Sequence, residues 1–482
     1  MEIGTRVFRA VSWLAFFNTV SQIFSWAVTI IVARILQPAD YGLMEMAIIF
    51  TGFAEIFCDM GLGSAIIQRP DPTREELSSV YWFAFGVGLL IAVTFFPISY
   101  ITAFIFDDDR IISLTQSISV IFIFYGLQTV PLSIMNKELE FKKIGFIEMT
   151  AALIASSVML VLASMGAGVW TLVGGMITRG LTKLILIYTI AKWIPRLHYD
   201  FEEVKSYMKF GSMVTLGRSF FYASDISDRF FLGRAMSPAI LGYYSFALNL
   251  SKLPTEKITV LINQVSYPAF SKLQNDREGF KKFYLKVVKV TAMIVIPLFV
   301  GGFLVSEEII NILFGEKWIP MIFIFKFMCI TQIMTSLNAV NNFVHNAQGR
   351  PKWGLIYHGI LAIGMATSFY LAAKNGLNAM LIPWFTTYMV VCGIWVYLTI
   401  KKIGITASEY LANIVNPVMA TVLMYVAVTG SSILIEMLIY RSESFLYSMI
   451  SKITVGSLFY LTYLYFYERK LFYSLKSDTI ER

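Results

Sequence analysis

Apolar residues occur in runs of about 20, separated by short polar segments, along almost the whole chain. A helical run of this length can cross the hydrocarbon core of a bilayer. Backbone polar groups find no water there, so helices are the expected form of each run. The pattern predicts fourteen membrane-spanning helices, near residues 11–33, 44–66, 79–101, 112–135, 147–165, 168–190, 209–232, 241–267, 284–305, 319–345, 354–373, 378–400, 411–435 and 446–467.

One stretch of sequence recurs after 200 residues. ARILQPADYGLMEMA (33–47) and GRAMSPAILGYYSFA (233–247) share Arg, Pro, Ala, Gly and Ala at equivalent positions. Pro97 and Pro297 keep the same offset, each late in an apolar run. Repeated bundles are typical of transporters, in which two similar halves rock about a shared site near the membrane midplane. The repeat therefore predicts two lobes of six helices each.

The predicted fold is an all-α polytopic membrane protein with three regions. Residues 1–200 form an N-terminal six-helix lobe, and residues 201–402 form a C-terminal six-helix lobe. Because six is even, both lobes have the same orientation, and the repeat is parallel. Residues 403–482 add two transmembrane helices and a cytoplasmic tail.

Charge decides the expected orientation and excludes one class of partner. Hydrophobic residues make up 57% of the chain and charged residues 15%, whereas a soluble domain has about a quarter charged. Most of the 39 Lys and Arg lie in loops on the same side as the N-terminus. The positive-inside rule then places both termini in the cytoplasm. We expect the chain to lie in the plasma membrane, the inner membrane of the cell. These loops suit an anionic leaflet and account for the net charge of +8 without any nucleic acid.

Ionisable side chains near the midplane are candidates for function, because a charge there is costly unless it is paired or hydrated. Four bases are predicted from depth and charge to line a water-filled cavity between the lobes: Arg179, Lys183, Arg218 and Lys252. Pro254, close to Lys252, is expected to interrupt its helix and free backbone carbonyls. Six further residues are candidates for ion coupling or charge pairing: Glu55, Asp59, Asp225, Asp228, Arg229 and Glu256. Together these residues predict a cavity with a surplus of basic charge.

A structural interpretation of the same charges stays open. Glu55 or Asp59 could neutralise Arg179 or Lys183 within one lobe, since no acid lies in the span that carries the two bases. Asp225 and Arg229 have the i, i+4 spacing of a local ion pair.

Catalytic and metal sites are not expected. The three histidines are not at ligand spacing, and no nucleophile constellation adjoins the carboxylates. Cys58, Cys329 and Cys392 all fall within spans, and we expect them to be small core residues.

Three stretches carry a resemblance to a known family. They are QPADYGLMEMAIIFTGFAEIFCDMGLGSAIIQRPDPTREELSSVYWF (37–83), EEIINILFGEKW (307–318) and NAQGRPKWGL (346–355). They resemble polysaccharide transport proteins, the Wzx-like lipid-linked oligosaccharide flippases of the multidrug/oligosaccharidyl-lipid/polysaccharide exporter superfamily. The WzxC and teichuronic-acid-exporter branch is the most similar, and the similarity extends over most of residues 1–400. Within the first stretch, Thr73 and Glu76 predict a capping box, and Gly61 and Gly63 permit close approach.

The resemblance implies two six-helix lobes around a V-shaped cavity that opens alternately to each side. It implies a polyprenyl-diphosphate-linked oligosaccharide as the partner, moved from the inner to the outer leaflet. It also implies that basic residues line the cavity to bind the diphosphate. In a distant relative, the last two helices form a groove for the lipid tail.

Other functions remain alternatives. A cation-coupled drug or metabolite antiporter would share the lobed architecture but would favour a net acidic cavity. A membrane-embedded glycan polymerase or ligase would need catalytic groups in a large external loop, and the external loops are short. We expect no enzyme activity and no cofactor beyond coupling to H⁺ or Na⁺. Membrane lipids, a polysaccharide polymerase and glycosyltransferases are the further partners expected.

Overall fold

The computed structural model describes residues 2–349, 351–438 and 444–467. Every regular element within these ranges is helical. The predicted cytoplasmic tail, from residue 468 onwards, lies outside the described residues. The α-helices are α1 (Glu2–Ile35), α2 (Pro38–Asp59), α3 (Leu62–Gln68), α4 (Arg74–Phe106), α5 (Arg110–Lys137), α6 (Phe141–Ser164), α7 (Trp170–Ala191), α8 (Phe201–Ala235), α9 (Pro238–Lys272), α10 (Arg277–Leu304), α11 (Ser306–Leu313), α12 (Met321–Ala347), α13 (Pro351–Ala372), α14 (Leu377–Phe385), α15 (Thr387–Ile403), α16 (Ala407–Leu438) and α17 (Phe445–Tyr467).

Helices occur at all fourteen predicted positions, with α2 and α3 sharing one position and α14 and α15 another. In the described residues, eleven segments are long and apolar enough to cross a membrane. Three long helices, α8, α9 and α17, are not among these eleven segments. Helices α8 and α9 carry the charged residues noted in the sequence. The chain is thus a multi-pass, all-α membrane protein, as predicted.

The sequence repeat reappears in the helix boundaries. Helix α1 ends at Ile35 and α8 ends at Ala235, while α2 begins at Pro38 and α9 begins at Pro238. A proline at the first helical position is favoured because its missing N–H has no intrahelical partner to lose. Both copies therefore fold as a helix, a short turn and a second helix with equivalent boundaries, which confirms the internal repeat.

Helix packing divides the chain into two compact units, residues 1–242 and 243–482. In the first unit, α8 packs against α2, α3 and α4, although the repeat groups it with the second bundle. Packing boundary and repeat boundary are different properties, so the division into 1–200, 201–402 and 403–482 stays a prediction.

One end of the first unit is held together by a helix cap and by close backbone approach. The Glu76 backbone N–H donates to Thr73 Oγ1 (3.2 Å), and the Thr73 backbone N–H donates to Glu76 Oε2 (3.1 Å). This confirms the predicted capping box at the start of α4. A Cβ on Gly61 would lie 2.7 Å from the Gly211 carbonyl oxygen, so α8 comes close to the turn after α2, as the glycines predicted.

The second unit has its own core. Phe270, Phe280 and Tyr284 form an apolar cluster with residues of α12 and α15. Helix α17 packs against α16, α10 and α11. The three cysteines of the chain are free and buried, which confirms their expected role as small core residues.

Candidate functional site

A cavity of about 670 Å³ lies within the first unit, among α2, α3, α5, α7 and α8. Two acidic and two basic side chains line it: Glu55, Asp59, Lys183 and Arg218. All four are among the predicted site residues, although the sequence placed the cavity between two lobes. Three of them come from helices that the repeat assigns to the N-terminal lobe, and Arg218 comes from α8. The cavity exists because α8 packs beside α2 and α3.

Arg218 and Asp59 form an ion pair at the cavity wall. The distance from Arg218 Nη1 to Asp59 Oδ2 is 2.5 Å. The Arg218 side chain is 55% exposed and that of Asp59 is 34% exposed, so a ligand in the cavity can reach both. Glu55 lies one helical turn before Asp59, and the Tyr125 hydroxyl hydrogen-bonds to its carboxylate.

Arg179 and Lys183 share an acid that the sequence reasoning missed. Glu148 on α6 accepts from Lys183 Nζ at 2.6 Å and lies 3.3 Å from Arg179 Nη2. Glu148, on the neighbouring helix, is thus the acid in direct contact with both bases, whereas the alternative considered from the sequence was Glu55 or Asp59.

The predicted surplus of basic charge is not found in this cavity. Among the described residues that line it, Glu55 and Asp59 balance Lys183 and Arg218. Behind the wall, Arg179 is offset by Glu148. A ligand with two or more negative charges would therefore compete with protein carboxylates for these bases.

A polar face of α5 forms another part of the wall. Tyr125, Gln128, Thr129, Ser133 and Asn136 recur at helical spacing and line the cavity. Gln128 Nε2 donates to the Gly180 carbonyl oxygen (2.9 Å), and the Thr129 hydroxyl donates to the Tyr125 carbonyl oxygen (2.8 Å). With these donors already used, the side-chain oxygens can accept hydrogen bonds from hydroxyl groups of a ligand.

Arg229 is the centre of a buried charge cluster whose members do not line the cavity. Its Nη1 lies 2.6 Å from Glu45 Oε1, its Nη2 lies 2.7 Å from Asp225 Oδ2, and its Nε lies 3.6 Å from Asp228 Oδ1. The Arg229 and Glu45 side chains are each 9% exposed. The predicted pairing of Asp225 with Arg229 is confirmed, and Glu45 is a partner that the sequence reasoning missed.

Lys252 and Glu256 lie on α9 in the second unit. Lys252 is half-buried and Glu256 is exposed. The expectation that Pro254 interrupts this helix was wrong, because α9 is continuous from Pro238 to Lys272. Membrane helices tolerate an internal proline when neighbouring groups satisfy the freed carbonyl.

Glu148 and Glu45 were missed for one reason. Hydropathy placed the beginnings of their spans at residues 147 and 44, so both acids looked like interfacial residues. The helices begin at Phe141 and Pro38, which puts each acid about two turns inside its helix. Pro38 marks a helix start, and counting from it would have shown that Glu45 lies inside the helix. For Glu148, the available signal was its position on the span before the one that carries Arg179 and Lys183.

Comparisons with known proteins identify relatives over most of the chain. The lipopolysaccharide biosynthesis protein WzxC of Escherichia coli (strain K12) is 27% identical over 64% of this chain. That alignment covers 63% of WzxC, which is less than two thirds of its length. The teichuronic acid biosynthesis protein TuaB of Bacillus subtilis (strain 168) is 25% identical over 85% of each chain.

Solved structures share the fold. The lipid II flippase MurJ in an inward closed conformation matches with a TM-score of 0.76, covering 95% of this chain and 100% of MurJ at 15% identity. An inward-facing multidrug resistance MATE transporter of the MOP superfamily matches with a TM-score of 0.63, covering 82% of this chain and 98% of the transporter at 15% identity. The predicted superfamily fold is confirmed. The model of one sequence family, described as polysaccharide biosynthesis protein, matches residues 31–323, which is more than half of the 482 residues, and the chain belongs to that family.

Proposed function

We propose that the protein is a flippase for a polyprenyl-diphosphate-linked oligosaccharide, such as an O-antigen, capsule or exopolysaccharide repeat unit. The observation that carries the proposal is the cavity of the first unit, which combines Arg218 and Lys183 with the polar face of α5. Arginine and lysine suit a diphosphate, and the polar face suits sugar hydroxyls. The relatives named for lipopolysaccharide and teichuronic acid biosynthesis support the same substrate class.

Transport in this proposal proceeds by alternating access from the inner to the outer leaflet of the cell inner membrane. Both termini are cytoplasmic, as the basic loops predict. The diphosphate cannot cross hydrocarbon unaided, so the cavity carries it while the lipid tail stays in the bilayer. Arg179 and Lys252 are the two further bases proposed from the sequence for the diphosphate.

Coupling to H⁺ or Na⁺ belongs to the same proposal. Glu55 and Asp59 face the cavity one turn apart, which is an arrangement that can take up a proton or a small cation. Asp225, Asp228 and Glu256 are the further candidates from the sequence. We also propose that the exported units pass to a polysaccharide polymerase, after glycosyltransferases have built them on the lipid.

A multidrug antiporter is the second candidate, and the fold shared with the MATE transporter favours it. The balance of two acids and two bases along the cavity removes the charge argument that the sequence offered against it.

One experiment separates the candidates. In a deletion strain, lipid-linked oligosaccharides are extracted and their leaflet is determined with a sugar-modifying reagent added outside the cell. A flippase gives full-length repeat units that are protected inside and are released when the gene is restored. Unpolymerised units outside would instead indicate an enzyme that acts after translocation. An antiporter gives no accumulation in a strain shown to make the precursor.

A further inference from the structure

The pair formed by Arg218 and Asp59 differs in exposure from the buried pair formed by Arg229 and Glu45 in the first unit. Asp59 and Arg218 line the cavity, and their side chains are 34% and 55% exposed. Arg229 and Glu45, each 9% exposed, are closed off from any ligand. A ligand can therefore separate Arg218 from Asp59 without opening the core of the unit.

The geometry of the pair leaves room for a competing anion. Asp59 contacts Arg218 through Nη1, and a guanidinium has five N–H donors in all. An incoming anion can therefore bind to Arg218 before Asp59 leaves. A diphosphate carries more charge and more acceptor oxygens than one carboxylate, and arginine binds it with parallel hydrogen bonds.

An anion beside Arg218 also stabilises the empty cavity. A charged side chain at membrane depth is costly unless it is paired or hydrated, and for Arg218, which is 55% exposed, the loss of its partner costs at most about 1 kcal/mol. If Arg218 had no partner after the substrate left, this free-energy cost would oppose the return of the empty protein to its starting conformation. Asp59 on α2, 2.5 Å from Arg218, removes the cost.

We propose that Asp59 is an internal counter-anion: it occupies Arg218 while the cavity is empty, and the diphosphate of the substrate displaces it. The inference rests on the proposed function and assigns a role to one residue of that site. Asp59 is a positioning residue in this scheme, since it acts through Arg218. Its removal should strengthen binding of a diphosphate and slow transport, because release and return lose their competing anion.

The test uses the purified full-length protein and farnesyl diphosphate as a probe, with farnesol as the uncharged control. Asp59→Asn should bind farnesyl diphosphate about two- to fivefold more tightly than the wild type, which is the range expected when an exposed ion pair stops competing. Glu202→Gln is the matched control, because it removes one acidic charge from an exposed ion pair on α8 that does not line the cavity. Its affinity should stay near that of the wild type. Structural damage would weaken binding, so a gain in affinity reports the competition itself.

A second variant keeps the test independent of folding effects. In Asp59→Asn combined with Arg218→Ala, the gain in affinity should disappear. Equal affinity of the wild type and Asp59→Asn overturns the proposal, as do equal gains from Asp59→Asn and Glu202→Gln. Absence of binding to either protein overturns it too, because an anion that displaces Asp59 must bind. These results are distinct from failure of the proposed function, which appears as no accumulated oligosaccharide in the deletion strain.

Discussion

Gly42 and Gly242 occupy equivalent positions in the two copies of the repeat, and each lies against the other copy. A Cβ on Gly42 would overlap the Pro238 carbonyl oxygen, and a Cβ on Gly242 would overlap the Pro38 carbonyl oxygen. The ideal Cβ of Gly242 would also lie 3.1 Å from the Gly42 backbone nitrogen. The first turns of α2 and α9 therefore pack backbone to backbone in a reciprocal contact that glycine alone permits.

Substitution of either glycine should destabilise this conformation. Gly42→Ala or Gly242→Ala forces the two helix starts apart, and overpacking of this kind costs about 1–3 kcal/mol. We expect a lower melting temperature of the purified protein and weaker complementation of a deletion strain. Gly86→Ala on α4 is the control, because its Cβ meets nothing within 4 Å. Unchanged melting of both the Gly42 and Gly242 variants would contradict the close packing described.

The buried pair of Arg229 and Glu45 should contribute strongly to the stability of the first unit. Glu45→Gln removes one charge from a pair whose side chains are each 9% exposed. Removing the only partner of a buried ion costs about 3–5 kcal/mol, and Arg229 keeps Asp225 and Asp228 as partners, so the cost should be below that range. The expected result is a clear fall in melting temperature in detergent and less protein in the membrane fraction.

An exposed pair on α8 provides the comparison for Glu45. Lys205 and Glu202 are 65% and 74% exposed and lie 3.2 Å apart. Exposed pairs contribute at most about 1 kcal/mol, so Glu202→Gln should melt close to the wild type. If Glu45→Gln melted like Glu202→Gln, the buried pair would not have the stabilising role assigned to it.

Most of the fold was predictable, because the bilayer imposes a strong rule on the sequence. Helices lie at every predicted span, and even the charged spans α8 and α9 were located. The repeat around Gly42 and Gly242 predicted equivalent helix boundaries as well. Hydropathy does not show which helices pack against each other. The packing of α8 against α2, α3 and α4 was therefore known only from the structure.

The sequence indicated candidate residues of the site but not their pairing. Depth along each span singled out Glu55, Asp59, Lys183 and Arg218, and these four side chains line one cavity of the first unit. Their roles in binding or coupling stay predictions. Which acid meets which base depends on the rotation of neighbouring helices, which one sequence does not report. The acid paired with Lys183 is Glu148 on α6. Hydropathy placed the start of this helix at residue 147, whereas the helix begins at Phe141.

Helix α17 should depend on a buried charge for its position in the second unit. Glu308 Oε1 accepts from Lys452 Nζ and from the Ser448 hydroxyl, each at 2.6 Å, and the Glu308 side chain is 5% exposed. Lys452→Met leaves that carboxylate without its cation, at a cost of about 3–5 kcal/mol. We expect faster proteolysis near α17 and a lower melting temperature. Glu278→Gln, in a pair whose acid is 71% exposed, should change neither.

Arg218 should be needed for transport but not for folding. Arg218→Ala removes a side chain that is 55% exposed to the cavity, so the lost ion pair should cost at most about 1 kcal/mol, or about 2–4 °C in melting temperature. A hydrogen bond to a charged group contributes about 1.5–3 kcal/mol, which predicts a fall in transport of about 10- to 100-fold if Arg218 binds the diphosphate.

Two matched variants and one measurement complete the Arg218 test. The measurement is the amount of lipid-linked oligosaccharide that stays protected inside the cell in a complemented deletion strain. Lys205→Ala, at an exposed position of the same helix, should restore export fully. Arg218→Lys should restore it in part, because lysine keeps the charge but loses the planar fork that binds two oxygens at once. Full export by Arg218→Ala at a normal protein level would show that Arg218 is not needed to bind the diphosphate.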